Sequence, residues 1–274
     1  MTTYAPWLRH PAGAALALAT VGGLILTGCS TGSSGSSGGS GSTSSKAASS
    51  SSTPAKGGSA SSGGSTSVVS ADSLPFPIAV GNTWKYTDTD GATVGTTVDT
   101  IAAVTPVADG QQVKMDGTIS NPGLTSHSSA YFIFHSDGSI TYPFSQFNTN
   151  SSTTKVTLLS GTIMFPSASA LAAGQVSHGT LKIQFASNSV TQDVTADITV
   201  KGGGTQTVTV PAGTYSASVV EMTMAESIEG ITVSTEVMTW FANGVGPVKS
   251  EVILNEAGTD HVADVNQLTS FTKG

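Results

Sequence analysis

The chain has 274 residues, and its ten lysine and arginine residues stand against 17 aspartate and glutamate residues, a net charge of −7. All 17 acids lie from Asp72 onward, where seven lysines and no arginine accompany them, so this part of the chain has a net charge of −10. Nucleic-acid binding needs clustered lysine and arginine to contact phosphates. The charge distribution therefore excludes a nucleic-acid partner, and the lack of arginine argues against phosphoryl transfer.

The first 28 residues have the pattern of a secretory signal. Arg9 supplies a positive charge, and an apolar run of 13 residues from Ala14 to Leu26 follows it. A membrane-spanning helix needs about 20 apolar residues. The run is therefore too short for a transmembrane anchor, and the pattern predicts a signal peptide at residues 1–28.

Cys29 is the single cysteine of the chain and follows Leu26-Thr27-Gly28. An apolar residue three places before cysteine, with small residues between, resembles the lipobox of bacterial lipoproteins. That resemblance implies export, attachment of a diacylglycerol with palmitate-like acyl chains to the Cys29 thiol, and cleavage before Cys29. More than one acyl chain gives stable anchoring. We therefore expect a lipid anchor in a bacterial membrane, either on the outer face of the cell membrane or in the outer membrane.

The segment after Cys29 has the composition of a flexible tether. Residues 30–71 hold 19 serines and 9 glycines, with no acid and no aromatic residue. Such a segment buries too little apolar surface to offset the entropy of ordering it. We expect residues 29–72 to form a disordered linker with a root-mean-square span of roughly 35 Å.

Residues 73–274 have the texture of one β-rich domain. Threonine and valine alternate in runs such as 191–200 and 208–210, and one short helix is predicted at 167–173 before Gly174. Strand-like runs recur every 8–12 residues, roughly the spacing of an antiparallel sandwich or barrel. Hairpin turns are predicted at five Asx-Gly pairs: Asp90-Gly91, Asp109-Gly110, Asp116-Gly117, Asp137-Gly138 and Asn243-Gly244.

A weak internal repeat also runs through the domain. Phe76-Pro77 in the first half corresponds to Phe165-Pro166 in the second, each leading through an apolar stretch to a glycine. Two related halves and a chance recurrence of β-protein turn signals both fit this pattern. We therefore keep two related halves as one option for an all-β domain with at most one short helix.

Three stretches of the domain resemble a group of bacterial envelope lipoproteins. They are residues 76–86 (FPIAVGNTWKY), 208–215 (VTVPAGTY) and 239–249 (TWFANGVGPVK). This chain is similar in these motifs and in their order to TapB-like and related domain-of-unknown-function lipoproteins. The resemblance implies a strongly curved antiparallel sheet, either a sandwich or an open barrel, and it brings no established activity.

The aromatic residues of these motifs are the candidate site residues of the domain. They either fill the core or line a groove for a ligand, and they are Trp84, Tyr86, Tyr215, Trp240 and Phe241. The turn at Pro211-Ala212-Gly213 is predicted to join two strands as a hairpin.

Catalytic and metal-binding patterns are weak in this sequence. The histidines after the signal have no metal-ligand spacing and no cysteine partner; they are His127, His135, His178 and His261. The stretch 88–91 (DTDG) is similar to a calcium loop but lacks the bidentate glutamate that should follow, so it is interpreted as a hairpin turn. A cluster of acids favours a solvated strand edge over a glycosidase pair: Glu221, Glu226, Glu229 and Glu236. We predict no catalytic residue, no metal site and no cofactor.

These features predict a non-enzymatic, membrane-anchored envelope lipoprotein. Its partner besides the membrane is either an apolar ligand such as a lipid or an envelope protein. A structural or adhesive surface module is the alternative, and a carbohydrate hydrolase is the least favoured option. A cavity lined by aromatic residues would favour ligand binding, whereas a filled core would favour the module.

Overall fold

The structure is a computed structural model that describes residues 73–91, 93–142, 154–187, 190–228, 231–256 and 259–274. The predicted signal peptide, Cys29, the tether up to residue 72 and Glu229 lie outside the described residues. The described residues form thirteen strands and one short helix. Within them, no helix has both the length and the apolar character that crossing a membrane requires.

The strands follow one another along the chain with short connections. Their bounds are β1 Thr83–Asp90, β2 Thr93–Val107, β3 Gly110–Asn121, β4 Leu124–His135, β5 Ile140–Tyr142, β6 Thr154–Ser160, β7 Ile163–Phe165, β8 Ser177–Ser187, β9 Val190–Val210, β10 Gly213–Ile228, β11 Ile231–Ala242, β12 Gly246–Glu256 and β13 Thr259–Thr272. The helix α1 spans Ala168–Ala172.

All thirteen strands belong to one antiparallel sheet with the order β6-β8-β9-β10-β11-β12-β13-β1-β2-β3-β4-β5-β7. Two meanders, β1 to β5 and β8 to β13, are joined by the pairing of β1 with β13. The sheet curls but does not close. The prediction of an all-β, strongly curved antiparallel sheet with one short helix is confirmed, and of the two predicted forms the sheet adopts the open one. That the two meanders arose by duplication stays a prediction.

The curl brings the two edges of the sheet together. β6 at one edge and β7 at the other are separated in sequence by Gly161 and Thr162 alone. A Cβ atom on Gly161 would lie 2.2 Å from the carbonyl oxygen of Thr180 in β8. The segment 154–165 therefore passes from one edge of the sheet to the other.

Alternation along each strand separates an inner face from an outer face. In β1, Trp84, Tyr86 and Asp88 are buried, whereas Lys85 between them is exposed. The period of two is that of a strand with one face in the core. The largest fully buried side chains fill the inside of the curl: Trp84, Tyr86, Tyr142, Phe134, Ile101, Ile163, Leu181, Ile183, Met224 and Leu268.

The helix α1 forms where the sequence predicts it. Ser167 is its N-cap, and the Ser167 hydroxyl accepts a hydrogen bond from the Ala170 amide at 3.3 Å. Leu171 is the buried residue of the helix. Gly174 follows with φ of 82°, in agreement with its predicted role as the helix stop.

Four of the five predicted Asx-Gly turns lie between strands, and the fifth is wrong. Asp116 and Gly117 lie inside β3 and pair with Ser129 and Ser128 of β4. The chain turns instead at 122–123, where Pro122 precedes Gly123. Proline presets the backbone angle of a turn and cannot donate to a sheet ladder, so this turn is favoured over the Asp-Gly pair six residues earlier.

We expect Trp84→Ala to lower the free energy of unfolding by about 3–5 kcal/mol, because it empties a large site in the core. Trp84 is 1% exposed, stacks on Phe271 with ring centroids 5.1 Å apart, and lies 5.0 Å from the ring of Phe76. Urea denaturation measures the loss, and Lys85→Ala on the opposite face of the same strand is the control. A loss below about 1 kcal/mol for Trp84→Ala contradicts a core role.

We expect Gly110→Ala to destabilise the domain more than Gly123→Ala. Both glycines have positive φ, 140° and 81°, so both variants carry backbone strain of roughly 1–2 kcal/mol. A Cβ on Gly110 would also lie 1.9 Å from the Phe134 carbonyl oxygen, whereas one on Gly123 meets nothing within 4 Å. Thermal unfolding compares the two variants, and equal losses would contradict the steric argument.

Candidate functional site

The aromatic candidates on β1 are buried, and their polar atoms bind the chain near β12. Trp84 Nε1 donates to the Val245 carbonyl oxygen at 2.6 Å, and the Tyr86 hydroxyl donates to the Pro247 carbonyl oxygen at 3.1 Å. Both side chains are 1% exposed. They tie the first strand of the domain to the bend before β12 instead of opening toward a groove.

The aromatic candidates of the second meander have similar surroundings. Trp240 and Phe241 are consecutive in β11, at a register shift of the β11–β12 pair, and each is 5% exposed. Trp240 Nε1 donates to Gln206 Oε1 at 3.1 Å, and Lys249 Nζ lies 4.7 Å from the ring centroid. Tyr215 is half-buried and donates from its hydroxyl to the Ala212 carbonyl oxygen at 3.2 Å.

A small cleft lies between α1 and the irregular part of the β9–β10 pair. Its volume is about 80 Å³, and its lining includes Leu171, Gly202 and Val219. Pockets that enclose a drug-sized ligand have volumes of about 300–1,000 Å³. None of the five aromatic candidates lines this cleft, which is too small for a lipid chain.

The clustered glutamates are divided between the two faces of the sheet. Glu221 pairs with Lys201 at 2.7 Å on the outer face, and Glu236 lies opposite Thr223 on the same face. Glu226 points inward and is fully buried. The prediction of a solvated edge is therefore wrong for Glu226, because strand alternation continues through it into the core.

The histidines contact hydroxyls and one carboxylate on the outer surface. His127 Nδ1 lies 3.1 Å from Thr118 Oγ1, and His178 Nδ1 lies 3.3 Å from Thr199 Oγ1. His135 lies 3.1 Å from Asp109. Among the described residues, no group of three or more His, Cys, Asp and Glu side chains has the arrangement of a metal site.

The inner face carries a polar cluster that the sequence did not predict. It lies on the three neighbouring strands β2, β1 and β13, and we call it the inner polar patch: Thr97, Asp99, Asp88, Asp264 and Asn266. Asp88 lies opposite Asn266 in the β1–β13 ladder, and Asp99 lies opposite Trp84 in the β1–β2 ladder. The patch therefore adjoins the aromatic core.

Each member of the inner polar patch has a buried oxygen atom without a hydrogen-bond partner. These atoms are Asp88 Oδ1, Thr97 Oγ1, Asp99 Oδ2, Asp264 Oδ1 and Asn266 Oδ1. Thr97 and Asn266 are 1% exposed. An unpaired buried polar group costs about 1–3 kcal/mol, so the patch lowers the stability of the sheet unless a further group satisfies it.

Burial governs the protonation of these carboxyl groups. It raises the pKa of Asp99 to about 8, because no charge partner offsets the loss of water. Burial, and then the neighbouring Asp88 carboxyl, raise the pKa of Asp264 to about 8. Burial also raises the pKa of Asp88, although its hydrogen bond with Asp264 opposes that shift. Glu226, away from the patch, has its pKa raised by burial to about 8.

The sequence carries a partial signal for this patch. Asp88, Asp264 and Asn266 occupy inward positions of strands whose neighbouring inward positions are Tyr86 and Leu268. Acids in an apolar alternation mark a buried polar group. The partner strands could not be assigned, because β1 and β13 lie at opposite ends of the domain.

We expect the domain to lose stability as the pH rises from about 4 to about 8. The unfolded state ionises near pH 4, whereas folded Asp99 and Glu226 keep their protons up to about pH 8. Each group then lowers the free energy of unfolding by up to about 1.4 kcal/mol per pH unit in this window. Urea denaturation at pH 5 and pH 8 measures the slope.

Neutral variants test which groups cause that slope. For Asp99→Asn and for Glu226→Gln we compare the free energy of unfolding with that of the unmodified chain. The difference should favour the variant more at pH 8 than at pH 5. Glu236→Gln on the outer face of β11 is the control and should leave the slope unchanged. Parallel slopes for all three variants and the unmodified chain would contradict the assignment.

Two solved structures have a similar fold. One is described as a candidate exported protein with a YmcC-like fold from Bacteroides fragilis; it is 17% identical, with a TM-score of 0.50, and the match covers 73% of this chain and 100% of that one. The other is described as a candidate lipoprotein from Parabacteroides distasonis; it is 18% identical, with a TM-score of 0.53, and the match covers 73% of this chain and 99% of that one. At these identities the likeness shows the fold.

No curated protein is similar to this chain. A family model does match, and its match extends over residues 80–258. This range begins at Val80 and ends two residues after β12. It contains the five aromatic candidates, the Pro211 turn, and Asp88, Thr97 and Asp99 of the inner polar patch. The chain therefore belongs to the DUF3108-like family.

Proposed function

We propose that this protein is a non-enzymatic envelope lipoprotein, anchored through Cys29, that binds an envelope partner protein on the outer surface of its sheet. The observation that carries this proposal is the burial of the aromatic candidates. Trp84, Tyr86, Trp240 and Phe241 are all buried in one core. Their surfaces serve folding, so recognition falls to the outside of the sheet.

A lipid ligand has less support than a protein partner. The cleft beside α1 holds about 80 Å³, well below the volume that encloses even a drug-sized molecule. The two solved structures with a similar fold, a candidate exported protein and a candidate lipoprotein, support an envelope location for this chain. We also propose that this chain is related to TapB-like lipoproteins, as the three sequence motifs indicate.

Exposed apolar side chains lie along the segment where the edges of the sheet meet. Three exposed side chains define this seam patch: Leu159 on β6, Met164 on β7 and Val176 before β8, exposed by 49%, 48% and 42%. Thr162 lies beside Gly179 of β8, with its carbonyl oxygen 3.2 Å from the Cβ position. Because the two segments run antiparallel, this register places Met164 at the level of Ser177, next to Val176.

A seam between edge strands suits a protein partner. Among the strands that the structure describes, none lies on the far side of β6, and unpaired edges can accept a strand from another chain. Exposed apolar side chains beside such an edge add contact area. The seam patch therefore combines backbone hydrogen-bonding groups with apolar surface.

The non-enzymatic part of the proposal rests on where the candidate acids lie. Glu221 is held by Lys201 on the outer face, and Glu226 points into the core on the other face. A glycosidase needs two carboxyl groups on either side of one bond. Glu221 and Glu226 face opposite sides of the sheet. Glu236 shares the outer face with Glu221, where Lys201 lies near both of them and forms an ion pair with Glu221.

A structural or adhesive surface module is the second candidate. The outer face carries cross-strand threonine pairs, such as Thr83 with Thr100 and Thr209 with Thr214, each with hydroxyl oxygens 3.0 Å apart. Such pairs stabilise a sheet without apolar surface. A module of this kind needs no dedicated partner at the seam patch.

Site-specific photo-crosslinking in intact cells separates the two candidates. We expect a photoreactive residue at Val176 of the full chain to form an adduct with one envelope protein, and Met164→Lys to abolish that adduct by placing a charge in the apolar contact. Crosslinkers at Val94 and Val262 are the controls, because these residues are 57% and 52% exposed on strands near the middle of the sheet order. Equal adducts at all positions, or none at Val176, would contradict the proposal.

Native mass spectrometry of residues 73–274, purified without detergent, checks the filled core. We expect the mass of the bare chain. A bound lipid-sized mass that is lost on denaturation would overturn the preference for a protein partner.

A further inference from the structure

We propose that Asp88, Asp264 and Asn266 form a binding site for a hard divalent cation, calcium in preference to magnesium, between β1 and β13. We call it the β1–β13 oxygen site. It is independent of the seam patch and of the proposed partner. Three observations support it: the register that brings the side chains together, the lack of a hydrogen-bond partner for one buried oxygen atom on each of them, and the charge of the cluster.

The register of two strands brings the three side chains together. Asp88 lies opposite Asn266 in the β1–β13 ladder, and Asp264 lies two residues before Asn266 on the same face. The carboxyl groups of Asp88 and Asp264 are within hydrogen-bonding reach of each other. Residues directly opposite in an antiparallel pair have Cβ atoms about 4.5–5.5 Å apart, so one ion can contact all three side chains.

The strongest independent sign of a ligand is the amide of Asn266. This residue is 1% exposed, and its Oδ1 atom has no hydrogen-bond partner. Asp88 Oδ1 and Asp264 Oδ1 are likewise buried without a partner. Three acceptors from adjacent positions lack a donor, and a cation is the ligand that satisfies acceptors of this kind together.

A fourth oxygen lies at the neighbouring strand β2. Gly95 of β2 is directly opposite Asp88, and a Cβ atom on Gly95 would lie 1.8 Å from Asn121 Oδ1. The side chain of Asn121 therefore occupies the space that a larger residue at position 95 would fill. A second amide oxygen therefore lies at Gly95, on the strand next to Asp88.

The charge of the site also fits a divalent ion. Two carboxylates face each other, and Asp90 adds a further negative charge nearby. The inward neighbours of Asn266 along the same row, Ser250 on β12 and Thr239 on β11, are neutral. A doubly charged cation balances the two ligand carboxylates, whereas a single shared proton balances one of them.

The ligand set predicts a weak site that prefers calcium. Two carboxylates and amide oxygens are fewer charges than a high-affinity loop supplies, and extracellular calcium modules bind at about 10⁻⁴–10⁻³ M. Calcium accepts irregular sets of six to eight oxygen ligands, including amides and water, whereas magnesium demands a near-ideal octahedron. Side chains from two neighbouring strands on the inner face provide such an irregular set of oxygen ligands.

The test is thermal unfolding of the full chain in non-ionic detergent at pH 7.5, with calcium chloride compared against EDTA. With a dissociation constant of about 1 mM, 10 mM calcium should raise Tm by about 3–6 °C. The same concentration of magnesium should raise Tm by less. Terbium binding is a direct readout, because the nearby Tyr86 can sensitise the luminescence of terbium bound in a calcium site.

Conservative variants assign the effect to the named residues. Asp88→Asn and Asp264→Asn keep the size of each side chain, and each should remove the calcium-dependent shift and the terbium signal. Asp197→Asn, an exposed outer-face carboxylate that accepts a hydrogen bond from Thr180, is the control and should retain both. A chain with no calcium response, or a response that persists in both site variants, would overturn the proposal.

Discussion

The pairing of β1 with β13 is the constraint on which the rest of this structure depends. It joins two meanders into one thirteen-stranded sheet, over a separation in sequence of about 180 residues. Trp84 and Tyr86 reinforce it, because both donate hydrogen bonds to the segment that leads into β12. Closing so long a loop carries an entropic cost that only buried surface can offset, which explains why the largest aromatic residue of β1 lies at the centre of the core.

The same pairing decides which surfaces remain for recognition. A sheet that curls around Trp84, Phe134 and Tyr142 uses its concave side for packing, so its inner aromatic residues are not free to stack on a ligand. The curl also brings β6 and β7 together and leaves Leu159 and Met164 outside. Filling the core and creating the seam are thus two results of one curvature.

Local features of the fold could be predicted from the sequence, whereas long-range ones could not. The Pro211-Ala212-Gly213 hairpin and the helix after Ser167 follow from residues that lie within a few positions of each other. The burial of Glu226 and the strand position of Asp116 depend on partners in other strands. The aromatic candidates could be named from the sequence, but whether a ring fills the core or lines a groove depends on what covers it, and that depends on the fold. The sequence marks Asp88 as part of a hairpin turn. Its contact with Asp264 could not be predicted, because it depends on the β1–β13 register.

The inner polar patch is best understood against the cost of its alternatives. Valine at the inward positions of Asp88 and Asp264 would suit a strand and would bury apolar surface without an unpaired oxygen. Isolated buried acids elsewhere, such as Glu226, need only a proton to become neutral. At Asp88 and Asp264 the acids face each other and an amide oxygen lies beside them, so one shared proton neutralises only one carboxyl group and leaves buried acceptors unsatisfied. Sites where a chain departs from the locally stable choice are characteristically functional, and the facing acids Asp88 and Asp264 lie on the two strands that hold the sheet together.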